Sequence, residues 1–561
     1  MVDYFRNLLR FPRTGLHEVA LILALSALAS QVLALARDRI FAHMFGASSI
    51  LDVYYAAFKI PDIIFVTVAS LVSATVLIPY FSREYAKDKD EAKKFLDSIF
   101  SVFIIALVFI EIIVFFLVPK LSHLIAPGFS EPQRLELINL TRILLLSPLL
   151  LGISGHVASI VQSFRYFFVY ALSPILYNIG IIFGAIVLYP KLGVKGLVWG
   201  VVCGALGHLL IQWPTLIRTG YIPRMTTNIN WPKVKEVFFV SIPRTITLGT
   251  SQLATLVLTS IASLLPMGSI AIYNLSFNLQ SVPLSIVGVS FSMAAFPTLS
   301  ALYVSGDRNK FVEQVAMAAR QIIFWSLPLT SLFVVLRAQI VRVILGSGQF
   351  NWTHTRLVAA SLALFAISLV AQSLVLLFVR GYYASGSTKT PLYSNIISGL
   401  LIVVLALVLI YSHRHFYIFR YFIESLLRVT DVGGTEVLML PLAYSSGLVF
   451  NLFLHWIYFV KEFGKFPSMI SRSLRQAIYS SVMVGFVAYE TLGIFGSIFN
   501  QQSLLGIFAQ GLSAGFFGIV AGTLLLMILG NDEVKELWAT LHAKFWRTNA
   551  ILPPPGEVPT A

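Results

Sequence analysis

The 561-residue chain is 57% hydrophobic and only 12% charged, with apolar runs of about 20 residues recurring along its length; this excludes an ordinary soluble domain and fits a polytopic membrane protein. A formal net charge of +15 would suit a nucleic-acid binder, but Lys and Arg fall mostly in short links between apolar runs, which reads as membrane anchoring with no nucleic-acid partner. The single cysteine, Cys203, leaves neither a disulfide nor a thiol metal site.

In chain order, spans are predicted at roughly 16–45, 50–81, 95–119, 135–163, 167–189, 193–217, 236–264, 269–302, 314–343, 355–385, 390–411, 436–460, 472–494 and 503–530. The expectation is an all-α fold of about fourteen transmembrane helices. Met1 to Gly15 carries Arg6, Arg10 and Arg13 without a cleavage-like site, so the first helix is expected to be retained. Links on the side of the N-terminus hold about 23 Lys and Arg against about 10 on the other side, which predicts cytoplasmic termini. Pro61, Pro148, Pro174, Pro283 and Pro391 lie inside spans, where each removes a backbone donor and invites a kink.

The stretch Ser30 to Pro79 holds charges inside apolar sequence: Arg37, Asp38, Arg39, Asp52, Lys59 and Asp62. Ionisable groups at bilayer depth cost several kcal/mol unless they face a polar cavity or a partner, so this stretch needs an interior. Arg37 lies about 12 Å inside the end of its helix, at about 1.5 Å per residue. Its fork suits a phosphate; the alternative is an internal ion pair with Asp38 or Asp52. Asp52 and Lys59, two turns apart, are expected to share a face and one network, with Asp38 and Asp62 as structural partners. Further along, Arg244 is expected to face the cavity or snorkel to the interface, and Gln252, Asn274, Asn278 and Gln280 to line the second half with neutral polarity. His156 and His208 are expected to make interhelical hydrogen bonds.

An internal repeat organises the spans. Tyr55, Pro79, Ser82 and Tyr85 recur as Tyr273, Pro297, Ser300 and Tyr303 at an offset of 218, and Pro174 and Asn178 recur as Pro391 and Asn395 at 217. Two six-helix halves follow; because six is even, both enter from one side as parallel repeats with a central cavity between them. The expected units are a first lobe at 1–225, a second at 226–465, two further helices at 466–530 and a cytoplasmic tail at 531–561. Gln212-Trp213 resembles His455-Trp456 at about 243 residues, so about 25 residues enter late in the second lobe. The candidate is 413–434, read either as an amphipathic helix in the outer interface or as an ordinary extracellular loop. Glu490, in the thirteenth span, is close enough to the outer end to be interfacial.

No HExxH, Walker-type loop or cysteine cluster is present, so no enzymatic chemistry and no cofactor are expected, and energy must come from an ion gradient, the membrane potential or the substrate gradient. The motifs ARD at Ala36 to Asp38, FGAS at Phe45 to Ser48, DVYYAAFKIPD from Asp52, APGF from Ala126, SPILYN from Ser173, PRTITLGTSQ from Pro243 and GYYASGSTKTP from Gly381 resemble the MurJ (MviN) branch of the MOP transporter superfamily. The resemblance implies a lipid II flippase of the bacterial inner membrane: two lobes with a lateral gate, a cationic cavity for the lipid pyrophosphate, and a tail groove formed by the last two helices. Arg37, Asp38, Asp52 and Lys59 match the family motif, and with Arg244, Gln252 and Asn278 they are the candidate substrate-binding residues. The expected partners are lipid II and membrane lipids, with the chain as a monomer. Where the family has arginines this chain has Gln31, Phe65 and Asn278, and where it has acids, Ser70 and Ser281; Arg244 or Arg142 is the candidate substitute cation. Two alternatives stay open: an exporter of another polyprenyl-linked oligosaccharide or a cation-coupled small molecule, and a non-transporting scaffold.

Overall fold

The computed structural model describes residues 16–69, 74–464 and 466–546. Among them every regular element is helical; fourteen helical stretches in chain order are called spans 1 to 14 here, and two further helices, Tyr417–Leu427 and Asp532–Trp546, lie outside them. Ten are each long and apolar enough to cross a bilayer: Lys89–Ile125, Glu131–Ser163, Phe167–Leu192, Val194–Thr219, Ser269–Val304, Arg308–Val335, Lys389–His415, Thr435–Phe463, Phe466–Ile498 and Leu504–Ile528. Span 10, Trp352–Ile367 and Leu369–Ala384, makes eleven despite a 43° bend. The remaining three are span 1 (Leu16–Phe45), span 7 (Trp231–Ser263) and span 2, which is broken into Ser49–Ala57, Lys59–Ile64, Phe65–Ala69 and Ala74–Lys87.

Polar residues at the links set where helices begin. Asp88 accepts from the Asp90 N–H at the start of span 3, Asp307 accepts from the Lys310 N–H at span 9, and Asn351 accepts from the His354 N–H at span 10. At Ser130 the Gln133 side chain reaches back to accept from the Ser130 N–H at 2.9 Å, the reciprocal half of a capping box.

The sequence repeat has a structural counterpart. Spans 2 and 8 each contain one wide π-helical turn, at Phe65–Ala69 and Ser285–Val289, close behind Pro61 and Pro283. Proline cannot donate the usual bond, and one extra residue per turn absorbs the mismatch while re-aiming the side chains beyond it.

Small residues let some spans touch backbone to backbone. Spans 5 and 6 pack through Gly180 and Gly184 against Gly200 and Gly204, so closely that a Cβ on Gly200 would overlap the Gly184 Cα. With lipid as apolar as the protein interior, such close packing is a main source of helix association. The largest apolar core draws Phe41, Leu51 and Tyr54 from the first half and Ile270, Leu275 and Phe365 from the second. Spans 13 and 14 dock on span 9 through Leu332, Val484 and Ala514, with the Ser331 and Ser481 hydroxyls 2.7 Å apart.

Candidate functional site

Spans 1, 2, 5 and 8 line a half-open cavity of about 200 Å³ between the two halves. Its charged lining is Arg37, Lys59 and Asp62, its amides Asn274 and Asn278, and its aromatic walls include Tyr54, Tyr55 and Tyr177. Tyr54, Tyr55, Phe58, Lys59 and Asp62 follow one another on the face of span 2 that lines this space, with a single irregular turn at Phe58.

Arg37 is both paired and exposed to the cavity. Its Nε and Nη2 donate to Asp38 Oδ1 at 2.9 and 2.8 Å, while Nη1 points to Asn178 Oδ1 at 3.4 Å. Asp38 Oδ2 accepts from Asn278 Nδ2 across the two halves at 3.0 Å. Lys59 Nζ donates to Asn274 Oδ1 at 3.4 Å, a second polar link between the halves. The lining holds two cations and one acid, but Asp38 is paired to Arg37 directly behind it, so formal charges balance and the hollow is less cationic than the resemblance implies.

Asp52 corrects the sequence reading. Its carboxylate does not join Lys59; it accepts from the Gly268 N–H at 2.6 Å and the Ala271 N–H at 2.8 Å, capping the N-terminus of span 8 outside the cavity lining. The two do share the face turned to span 8, as their spacing predicts, but at different heights: Asp52 meets Gly268 and Ala271 while Lys59 meets Asn274 one turn further along. Arg39 acts as its counterpart: Nη1 donates to the carbonyls of Val343 and Ile344 at 2.6 and 3.3 Å, at the C-terminal end of Arg337–Ile344. Thus an anion meets a helix N-terminus and a cation a helix C-terminus, both arrangements favoured by the helix dipole. Gln349 N–H to the His43 carbonyl at 2.9 Å, and Gly268 at φ +90° against Ala47, tighten this seal on the side away from the termini.

At the other end, nearer the termini, Lys233 of span 7 donates to Glu84 at 2.8 Å and Glu91 at 3.4 Å, which holds the Glu84 carboxyl below the usual carboxylate range. Gln31 Nε2 reaches Ser285 Oγ at 3.4 Å, joining spans 1 and 8.

The other candidates fall elsewhere. The Arg244 side chain and Ser70 lie outside the described residues. Gln252 is half-buried on span 7 and is not part of the cavity lining. Gln280 is buried with neither amide atom paired among the described residues. Arg142 donates to the Phe115 carbonyl and stacks over that ring, so it does not replace a cavity cation. His208 bonds Ser154 at 2.7 Å as expected, whereas both ring nitrogens of His156 lack partners among the described residues. Sequence reasoning missed the latch role of Arg39 and the contact of Asn178 with Arg37. The signal for the latter was its place in the duplicated SPILYN segment.

The family profile described as "Lipid II flippase MurJ" matches residues 41–513. The chain belongs to the MurJ family. It is 26% identical over 385 residues to a lipid II flippase MurJ of Burkholderia cenocepacia, covering 67% of this chain and 74% of that one. It is 29% identical over 402 residues to a probable lipid II flippase MurJ of Buchnera aphidicola, covering 70% and 78%. Among solved structures it is similar to one described as lipid II flippase MurJ in an inward closed conformation, with TM-score 0.71 and 21% identity over 92% of this chain and all of that one. An inward-facing MATE multidrug transporter of the MOP superfamily follows at TM-score 0.63 and 13% identity, covering 78% and 96%. At these identities the structural likenesses speak to the fold: an all-α MOP-type membrane protein.

Proposed function

We propose that this chain is a flippase that carries lipid II, the polyprenyl-diphosphate-linked peptidoglycan precursor, from the inner to the outer leaflet of a bacterial plasma membrane by alternating access. The observation that carries the reading is a polar cavity at bilayer depth, holding Arg37 and Lys59, in a chain of the MurJ family. The Arg37 fork suits a diphosphate, and the tyrosines and amides around it suit a sugar. At about 200 Å³ the cavity is below the range of about 300–1,000 Å³ for small-ligand sites, so this is a closed form and the halves part to admit a headgroup. The Glu84–Lys233 clasp opens to load and the Asp52 and Arg39 latch opens to release.

In this reading both termini are cytoplasmic, the chain works as a monomer without a cofactor, and no covalent bond is made or broken. The candidate substrate contacts are Arg37, Lys59 and Asn278, with Asp38 steering Arg37 and Asp52 holding the seal; Arg244 and Gln252, on span 7, are assigned to the path the headgroup takes. The test is complementation in cells depleted of their own flippase: the wild-type chain restores growth and headgroup export, and Arg37→Ala abolishes the rescue. Correct insertion with no rescue would refute the assignment.

A further inference from the structure

Residues 413–434 are not an irregular loop. The chain leaves span 11 at His415 and forms a helix, Tyr417–Leu427, on the membrane face opposite the termini. One side of this helix is buried through Ile423 and Leu427, while Tyr417, Ile418, Tyr421, Phe422 and Leu426 on the other side are each more than half exposed. An eleven-residue helix that is apolar on both sides, with aromatic rings outward, is not an element that water tolerates.

Its orientation is fixed by polar pins. Glu424 is buried and accepts from Arg420 at 2.8 Å and from Thr435 at 2.6 Å. Arg356 grips Asp431 with two bonds of 2.6 Å and also bonds the Arg428 carbonyl. Arg428, in the left-handed conformation at φ +60°, closes the helix and donates to the Tyr489 hydroxyl of span 13 at 3.2 Å. The aromatic face therefore keeps one direction, outward from the bundle.

We infer that the helix Tyr417–Leu427 lies in the lipid–water interface of that leaflet as a membrane-seated strut linking span 11 to span 13. The occupant of its exposed face is the bilayer itself. The face runs on directly from a membrane span whose last turns expose Tyr411, and its C-terminal end is bonded to the exposed Tyr489 of span 13. Tyrosine and phenylalanine facing outward, with Arg414 and Arg420 beside them, match the amphipathic chemistry of that layer. The inference needs only that the chain spans a membrane, so it stands or falls apart from the lipid II assignment.

The test uses the full chain with Cys203→Ser, reconstituted in vesicles of phosphatidylethanolamine and phosphatidylglycerol. Nitroxide labels are placed at Ile418→Cys, Phe422→Cys and, as a control on the adjoining turn, Gly433→Cys. Labels at 418 and 422 are expected to collide several-fold more with oxygen than with a water-soluble nickel chelate, with the order reversed at 433. Nickel dominance at 418 and 422 would make the segment a solvated loop and overturn the inference. Immobile labels reached by neither reagent would mean that a second copy or another protein covers the face, which also overturns it.

Discussion

Asp52 and Gly268 lie 216 residues apart, yet the carboxylate of one accepts the backbone N–H of the other at 2.6 Å, at the start of span 8. The bond joins the two halves on the side away from the termini, so parting the halves on that side would break it. Charge-assisted bonds of this kind contribute about 1.5–3 kcal/mol each. Asp52→Ala should therefore shift the balance toward the outward-open form by about 2 kcal/mol, roughly 30-fold. Spin-label distances across the outer ends of spans 1 and 10 would report it, and an unchanged distance distribution would sink the latch.

Arg39→Gln should push in the same direction, because a neutral amide bonds the Val343 carbonyl more weakly and loses its attraction to the helix C-terminus. If both residues close one latch, the Asp52→Ala, Arg39→Gln double variant should deviate from additivity by more than about 0.5 kcal/mol. Strict additivity in the same distance measurement would separate them into two devices.

Arg37→Ala should weaken binding of a short-chain prenyl diphosphate roughly 10- to 100-fold, the equivalent of one or more charge-assisted bonds. Arg37→Lys should recover little of it, since an ammonium cannot present two parallel donors. Asp38→Asn should bind more tightly than wild type, because the fork now spent on Asp38 becomes free. Calorimetric titration of the detergent-solubilised chain checks all three, and equal affinity for wild type and Arg37→Ala would remove Arg37 from the site.

Gly200→Leu should be among the most damaging single changes outside the cavity. A side chain there meets the backbone of Gly184, which cannot move aside as a flexible side chain would. A loss of about 3 kcal/mol or more is expected, seen as loss of a monodisperse peak and of thermal stability. Gly155→Ala, where open space surrounds the Cβ position, should be nearly silent.

The clasp at the other end carries a pH signature. Lys233 lowers the folded-state affinity of Glu84 for a proton, so the stabilisation is fully present above the ordinary glutamate value of about 4.3 and is lost as pH falls through the lower folded value. Between pH 8 and pH 5 the contact between spans 2 and 7 should be constant, loosening only below about pH 4. Glu84→Gln should remove that dependence. Cross-linking yield between cysteines placed on the two spans is the measurement.

Much of the architecture was legible because apolar length and a repeat offset are written directly in the chain. Among the described residues each of the fourteen expected spans falls on helix, and spans 2 and 8 each carry a proline shortly before a π-helical turn. The charged stretch announced the cavity for the same reason: ionisable groups at depth need an interior. What could not be read was the division of labour within it. Asp52 and Lys59 share a face towards span 8 as their spacing predicts, but the two turns between them put one on the amides of the helix N-terminus and the other on Asn274 in the cavity wall. Arg39 binds main-chain carbonyls, and partners of that kind leave no mark in residue types. His156 buries both ring nitrogens without a partner among the described residues, where its sequence suggested an interhelical bond.

Because Asp52 and Arg39 hold backbone groups rather than side chains, the outer seal is largely indifferent to which residues occupy positions 271, 343 and 344. Those positions can drift through many substitutions while the closure persists. Gly268 is the exception: proline at 268 or 271, lacking an N–H, cuts a bond directly, and any side chain at 268 meets the Ala47 carbonyl from a backbone at φ +90°. Selection for variants that release the closure should accordingly return changes at positions 39, 52 and 268 far more often than at 271, 343 and 344, giving a lopsided mutational map across an interface that both halves share.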